Sequence, residues 1–438
     1  MEQKTVSFYT LGCKVNQYET NAMAQEFANK GYKIVHGEEK ADIAIVNTCT
    51  VTNMSDRKSR QILRRIKNAN PQTVVVAVGC YVQVARDKVE QIPEIDLVLG
   101  NNEKKDIVEY IETYLEKNNK INKVSDVMHQ KQFIDFGVIY YTEKTRAAIK
   151  IQDGCDRFCS YCIIPYARGR VRSRRPESII EEVTKIVSEG IQEIVITGIH
   201  VASYGKDFDN DYKLIDLLEE LNKVEGLKRI RLSSIEPMII TDEFIERLTK
   251  LEKICHHFHL SLQSGCDETL KRMNRRYTTR EFMEVVKRIR ANYDDVNLTT
   301  DIIVGFPGET DQEFETTYNF LKEVKFYKMH VFKYSQREGT KAAVMPDQVD
   351  GNIKEERSQK LISLSNQNQE EYNKQYIGKK VEVLFEEKEG NFYKGHTGNY
   401  IVVKYETDEN LGTSPKKLEN CIKTVKVIEA QDDYLIAK

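Results

Sequence analysis

The sequence predicts an α/β protein built as a doubly wound N-terminal domain, a central partial (β/α)6 parallel barrel, and a small antiparallel β-barrel at the C-terminus. Three observations carry this. Short Val- and Ile-rich runs alternate with helix-length stretches through most of the first 350 residues, the pattern of buried parallel strands and their crossover helices. From residue 375 the texture changes to alternating strands separated by turn residues such as Gly390-Asn391 and Gly398-Asn399. Cysteines follow directly on several of the apolar runs, where a parallel sheet exposes its carboxyl edge.

In the first segment, residues 1–117, strands are expected at 5–10, 43–47, 74–78 and 97–99, with helices at 16–30, 55–68, 83–91 and 103–116. The outline is similar to flavodoxin-like domains. Residues 118–145 are polar and rich in Asn, Lys and Gln, which reads as a linker. In the third segment, 146–373, strands are expected at 148–151, 193–197, 229–233, 257–261, 297–304 and 328–334. Helices are expected at 177–189, 213–224, 243–251, 280–293, 312–324 and 354–372, the first opened by Pro176. The last segment, 374–438, carries strands at 380–385, 392–396, 400–405 and 423–429, with a turn at 410–414. This fits an OB-like barrel, a fold that often grips nucleic acid. From residue 375 on it holds 10 Lys, no Arg and 11 acidic residues, so charge alone does not argue for RNA.

The bulk properties narrow the classes. A chain of 438 residues with 40% hydrophobic and 31% charged residues is an ordinary globular protein of two or three domains. No run of about twenty apolar residues is present, so no membrane association is expected. The amino terminus lacks a signal peptide's apolar stretch, which predicts a cytoplasmic protein. Nine cysteines, an odd number widely spaced, do not suggest a disulfide framework in a reducing compartment. A net charge of −2 leaves any RNA contact to local patches.

Cys155, Cys159 and Cys162 form a C-x3-C-x2-C loop. Three thiolates this close can hold three corners of a cubane iron–sulfur cluster and leave the fourth iron open to a ligand. Zinc is the alternative, but structural zinc sites usually take four protein ligands in paired units. Cys13, Cys49 and Cys80 each stand at the end of an expected strand, in Leu11-Gly12-Cys13, Asn47-Thr48-Cys49 and Val78-Gly79-Cys80. They would meet at one sheet edge as a second three-thiolate set, or else be three inert buried cysteines.

These features together resemble the radical S-adenosylmethionine methylthiotransferases over nearly the whole chain. The motifs that carry the resemblance are the run from Thr10 to Glu19 around Cys13, and the cluster loop continuing through Ile163, Ile164, Pro165, Tyr166 and Ala167 to Arg168-Gly169-Arg170. Within the family, Lys14-Val15-Asn16 is similar to the branch acting on threonylcarbamoyladenosine at position 37 of tRNA. The isopentenyladenosine and ribosomal-protein branches carry other residues there. The resemblance implies two [4Fe-4S] clusters, S-adenosyl-L-methionine, a tRNA anticodon loop as substrate, an electron donor such as flavodoxin or ferredoxin, and a sulfur source. It implies that Cys155, Cys159 and Cys162 hold the cluster that cleaves S-adenosylmethionine to a 5′-deoxyadenosyl radical. Cys13, Cys49 and Cys80 would hold the cluster presenting the sulfur. It also implies that the last segment is a TRAM barrel. The target, C2–H of adenine, is neither acidic nor electrophilic, so radical chemistry suits it better than acid–base catalysis.

Further candidates flank the strand ends. Tyr161 precedes the last loop cysteine. Gly198 ends the second barrel strand and either seats the methionine end of the cofactor or simply turns the chain. Ser234 and Glu236, after the third strand, could reach a ribose. Gln263 could orient cofactor or substrate, or cap a turn. Gly305 and Gly308 flank Phe306-Pro307 and would allow an adenine to approach the backbone. Arg168, Arg170, Arg172, Arg174 and Arg175 alternate along a strand-like edge suited to phosphates, with a solvated face or ion pairs as the alternative. Lys271, Arg272, Arg275 and Arg276 read equally as a basic patch or a solvated helix end. The histidines are assigned no catalytic role.

Overall fold

The computed structural model describes residues 3–35, 40–140, 145–406 and 418–438; the turn expected at 410–414 lies outside them. The N-terminal domain runs β1 (Thr5–Thr10), α1 (Lys14–Asn29), β2 (Lys33–Val35), β3 (Ile43–Thr48), α2 (Asn53–Ala69), β4 (Val74–Gly79), α3 (Cys80–Val84), α4 (Arg86–Glu90), β5 (Leu97–Leu99), α5 (Ile107–Lys117) and β6 (Ile121–Lys123). Its sheet is wholly parallel in the order β2-β1-β3-β4-β5-β6. Every residue of β3 is buried, as expected for a strand covered on both faces. Apolar clusters fill both sides of the sheet, one around Phe27 and Ile107, the other around Leu63 and Val82. Two differences from expectation stand out. The helix expected at 83–91 is split at Ala85 into α3 and α4. The segment read as a linker opens with an edge strand, β6, paired to β5.

The central domain comprises β7 (Arg146–Asp153), α6 (Ile164–Arg168), β8 (Arg172–Ser173), α7 (Pro176–Ser188), β9 (Glu193–Gly198), α8 (Leu214–Asn222), β10 (Arg229–Leu232), α9 (Asp242–Leu248), β11 (His257–Gln263), α10 (Asp267–Arg272), α11 (Thr279–Asn292), β12 (Asn297–Val304), α12 (Asp311–Val324), β13 (Lys328–Lys333) and α13 (Gly351–Lys374). Strands β7, β9 and β10 pair in parallel, as do β11, β12 and β13. Isolated parallel bridges Ile230↔Ile254 and Ile235↔Leu260 join the two groups into one open arc. Helices α11 and α12 start on reciprocal capping boxes, Thr278 with Glu281 and Thr310 with Glu313, which satisfy the first free N–H groups. One large apolar cluster, from Ala147 to Leu364, unites strands and helices.

The C-terminal strands β14 (Lys380–Glu389), β15 (Phe392–Thr397), β16 (Val402–Glu406), β17 (Cys421–Ala430) and β18 (Leu435–Ala437) close a barrel in the order β14-β15-β16-β18-β17. Closure uses the short β18, which sequence patterning missed and which pairs parallel to β16. The barrel docks at the amino ends of the central strands. Arg229 Nη1 donates to the His396 carbonyl at 3.0 Å and Nη2 to the Glu382 carbonyl at 3.1 Å. Arg231 Nη1 donates to the Gly398 carbonyl at 3.0 Å, and Asn297 Nδ2 to the Asn399 carbonyl at 2.7 Å. The carboxyl ends of the strands, opposite this junction, are left for the cysteines.

Candidate metal and cofactor site

Three strand ends deliver the N-terminal cysteines. Gly12, at φ +99°, turns the chain after β1 so that Cys13 stands at the amino end of α1. Cys49 follows β3 directly, and Gly79, at φ +108°, turns β4 into Cys80 at the start of α3. A Cβ on Gly12 would lie 2.7 Å from Cys49 Sγ, so only glycine fits beside the second thiol. Cys49 and Cys80 are buried, whereas Cys13 is exposed. Burial, with the neighbouring Cys80 and Cys13 thiols adding to it, raises the pKa of Cys49.

The second set sits on the loop leaving β7. Gly154, at φ +71°, passes so close to the returning chain that a Cβ there would lie 1.8 Å from the Arg170 carbonyl oxygen. The Cys155 amide donates to the Gly169 carbonyl at 3.0 Å and the Cys162 amide to the Cys159 carbonyl at 2.9 Å. These bonds fold the three cysteines into one compact turn. Burial pushes the Cys155 thiol up to about 11 and that of Cys162 up to about 12, with Cys159 the leading neighbour that adds to both.

Among the described residues, no three His, Cys, Asp or Glu side chains converge as the ligands of one ion would. The two sets are groups of neighbouring thiols carried on glycine-turned loops. Their chemistry fits an iron–sulfur cluster: each offers three soft sulfur donors and no carboxylate or imidazole ligand. Arg275 Nη1 lies 3.4 Å from Cys159 Sγ and the Arg157 amide 3.5 Å from Cys155 Sγ, hydrogen-bond donors of the kind that stabilise cluster thiolates.

A buried charge network joins the two sets. Arg168, the last residue of the short helix after the loop, sends Nε to Cys80 Sγ at 3.1 Å and Nη2 to Asn16 Oδ1 at 2.6 Å. It also pairs with Glu19, Nη2 to Oε2 at 3.0 Å. Lys104 and Lys150 pair with the same carboxylate, Lys150 at 2.7 Å, and Lys150 reaches Asp153 at 2.6 Å. Burial opposes ionisation of Glu19, but Arg168, then Lys104 and Lys150, overcome it and hold the carboxyl well below its usual range. Asp153 is likewise held at about 2, with Lys150 and then Arg168 outweighing burial.

The expected cofactor residues are distributed around the strand ends. Tyr161 packs edge-on against Phe306, ring centres 6.4 Å apart, which brings the cysteine loop to the Gly305–Gly308 turn. A Cβ at Gly305 would meet the Lys354 side chain at 2.2 Å, so that glycine is already required by packing against α13. Gly308 adjoins the Arg272 guanidinium. Gly198 lies over Gln152, which would sit 3.0 Å from an added Cβ. Gln263 adopts φ +73° at the end of β11. Ser234 is exposed. Glu236 is buried between His200 Nε2, at 2.9 Å, and the Arg157 guanidinium. Burial would raise its pKa, but His200 first and Arg157 next hold it at about 2.

The arginine run needs correction. Arg168, Arg172 and Arg174 are buried and cannot bind phosphate. Arg172 donates to the Arg168 carbonyl at 2.8 Å, and Arg174 pairs with Glu182 and Asp135 while reaching the Tyr18 hydroxyl at 3.0 Å. Only Arg170 and Arg175 are exposed, lying over Phe158 and Phe208 respectively. The run is not one strand edge: Arg168 ends a helix, only Arg172 lies in a strand, and the acids that neutralise the buried arginines come from other segments. Arg275, grouped with a helix end, proves to be a half-buried neighbour of Cys159. Asp153, Glu19 and Arg157 were missed because no local pattern marks them. Of the histidines, His257 and His259 share Thr299 Oγ1, each at 3.0 Å, and His259 contacts Asp301.

Comparison with known proteins agrees with this geometry. Residues 149–321 match the radical SAM superfamily and residues 5–100 match the uncharacterized protein family UPF0004. The chain is 46% identical over 413 residues to the threonylcarbamoyladenosine tRNA methylthiotransferase MtaB of Bacillus subtilis (strain 168), covering 93% of this chain and 91% of that one. It is 40% identical to the protein of the same name from Aquifex aeolicus (strain VF5), covering 93% and 98%. It is 38% identical to the tRNA-2-methylthio-N(6)-dimethylallyladenosine synthase of Thermoanaerobacter sp. (strain X514), covering 92% and 87%. Its fold is similar to that of the radical S-adenosylmethionine methyltransferase TsrM from Kitasatospora setae, with a TM-score of 0.60 at 14% identity over 78% of this chain and 77% of that one. With two cysteine sets at adjoining strand ends and relatives this similar along almost its full length, the chain belongs to the radical S-adenosylmethionine methylthiotransferase family.

Proposed function

We propose that the protein methylthiolates C2 of N6-threonylcarbamoyladenosine at position 37 of tRNA. The observation that carries this reading is 46% identity over 93% of the chain to a relative named for that substrate. In this reading Cys155, Cys159 and Cys162 hold one [4Fe-4S] cluster and Cys13, Cys49 and Cys80 a second. When bound, the clusters and S-adenosyl-L-methionine supply a carbon radical able to open a C2–H bond, a methyl group and the sulfur to be transferred.

The chain's own residues then do the positioning. Gly154 and Gly169 close the loop on the returning chain. Arg275 and the Arg157 amide donate towards Cys159 and Cys155 and stabilise their thiolate forms. The Phe306 ring and the buried Glu236–His200 contact bound the space next to the loop, where Tyr161, Gly198, Ser234, Gln263, Gly305 and Gly308 are assigned to the cofactor. Arg168 fixes the N-terminal domain against the helix that follows the loop, and in this reading both cysteine sets would face the substrate base. The division into a methylthiotransferase domain (1–117), a connection (118–145), a radical domain (146–373) and an RNA-binding TRAM barrel (374–438) belongs to the same proposal. So do a flavodoxin- or ferredoxin-like electron donor, a sulfur source and a cytoplasmic location. No helix among the described residues is long and apolar enough to cross a membrane.

Nucleoside mass spectrometry of tRNA from a deletion strain tests this. The 2-methylthio derivative of threonylcarbamoyladenosine is expected to vanish while threonylcarbamoyladenosine itself accumulates. A Cys155→Ala allele should fail to restore it. Loss of the methylthio group from isopentenyladenosine instead would move the protein to the branch of its 38% identical relatives.

A further inference from the structure

We infer that the outward face of α2, with the cleft beside it, is a docking surface for the phosphate backbone of the RNA substrate. This rests on the tRNA reading above and names the surface that serves it. Helix α2 reads NMSDRKSRQILRRIKNA: six basic residues against Asp56 alone, a local charge of +5 in a chain whose total is −2. Arg57, Lys58, Arg64 and Arg65 are exposed. Spaced at i, i+1, i+7 and i+8, they form one face about two turns long, roughly 10 Å.

A solvated helix face is usually laced with opposite charges, as where Lys250 pairs with Glu246 and Lys374 with Glu370 at i, i+4. Helix α2 differs. None of these four cations has an acid three or four residues away, and Arg60–Arg64 is a like-charge pair at i, i+4. Among the described residues, the acid that approaches this face is Glu94, 3.9 Å from Arg64. A helix that accepts this self-repulsion is arranged for a polyanion outside it.

Its position points the same way. The helix starts four residues after Cys49 and is N-capped by Thr52. Val51 and Met54, between the basic face and the cysteine, are 54% and 67% exposed, an apolar shelf of the kind that receives base faces. Beside it a cleft of about 680 Å³ lies between the two domains, lined by Arg60, Arg86 and Lys88, by Asp56, Asp87 and Glu338, and by the exposed ring of Tyr166; Arg337 at its wall is buried and paired with Asp56. Tyr166 stands four residues beyond Cys162, so the surface runs from one cysteine set to the other. Guanidinium forks match phosphate oxygens, and an exposed aromatic ring can stack on an unpaired base.

The test uses the full chain with both clusters assembled anaerobically and tRNA from the deletion strain. An Arg57→Gln, Lys58→Gln, Arg64→Gln, Arg65→Gln variant should keep its iron content and thermal midpoint. Its dissociation constant for tRNA should rise at least tenfold at physiological salt. The slope of log affinity against log salt should fall by about 3, the release expected for four lost phosphate contacts. Unchanged affinity and slope overturn the inference, whether or not reduction by flavodoxin slows; slower reduction alone would assign the face to an acidic protein donor. If the unaltered enzyme itself fails to bind tRNA, the functional reading falls and this one with it.

Discussion

Arg168 Nε lies 3.1 Å from Cys80 Sγ, a bond from the radical loop's helix to a thiol of the N-terminal domain. The guanidinium is buried and shared with Asn16 and Glu19, so one side chain ties the helix after the cysteine loop to the N-terminal domain. Replacing it with Leu leaves Glu19 among Lys104 and Lys150 with a vacated donor site and strands Asn16. Removing one partner of a buried ionic network costs roughly 3–5 kcal/mol. Urea denaturation of Arg168→Leu should show that loss. Arg168→Lys should recover little of it, because an ammonium cannot serve Cys80, Asn16 and Glu19 together.

Gly154 makes a sharper prediction for the loop. Alanine there would both force a left-handed backbone and drive a methyl group into the Arg170 carbonyl. Gly154→Ala should therefore lose the iron of the second set while retaining that of the first, read as a fall from about eight irons per chain to about four.

The same assay separates the two sets. Cys155→Ala and Cys80→Ala should each halve the iron, and the triple variant at 155, 159 and 162 should leave a brown protein that does not cleave S-adenosylmethionine. Retention of about eight irons by either single variant would refute the ligand assignment.

Glu236 predicts a pH dependence. Its carboxyl is held at about 2, below the ordinary 4.5, because His200 and Arg157 outweigh burial. A depressed carboxylate pKa stabilises the fold fully above 4.5, and that contribution drains away as pH falls through 4.5 towards 2. Glu236→Gln should thus be less stable by at most roughly 3 kcal/mol between pH 7 and 5. The deficit should shrink below pH 4.5, measured as the urea midpoint of both proteins across that range.

Much of the architecture could be read from the chain because parallel strands with both faces covered are continuous apolar runs. β3, β4, β9 and β12 fall within one residue of their expected limits. The strands that escaped, β2, β6, β8 and β18, have two or three residues each, and the helices α6 and α10 five and six, too few to show a period. The cysteines were legible because their spacing and strand-end placement are local facts. The network around them was not. Glu19, Lys104, Lys150 and Arg168 are scattered over 150 residues, and nothing near any of them in sequence tells a buried ion pair from a solvated charge. The arginines from 168 to 175 show the cost of that blindness: three of the five face inward.

The junction with the small barrel has a consequence for how such a protein can diverge. Arg229, Arg231 and Asn297 take hold of His396, Thr397, Gly398, Asn399 and Glu382 through main-chain carbonyls. Arg229 also pairs with the Glu382 carboxylate at 2.9 Å and Arg231 lies over the Tyr400 ring, but the carbonyl bonds would form with any residue at those positions. The small barrel can therefore exchange most of its outward residues without working loose from the body that carries it.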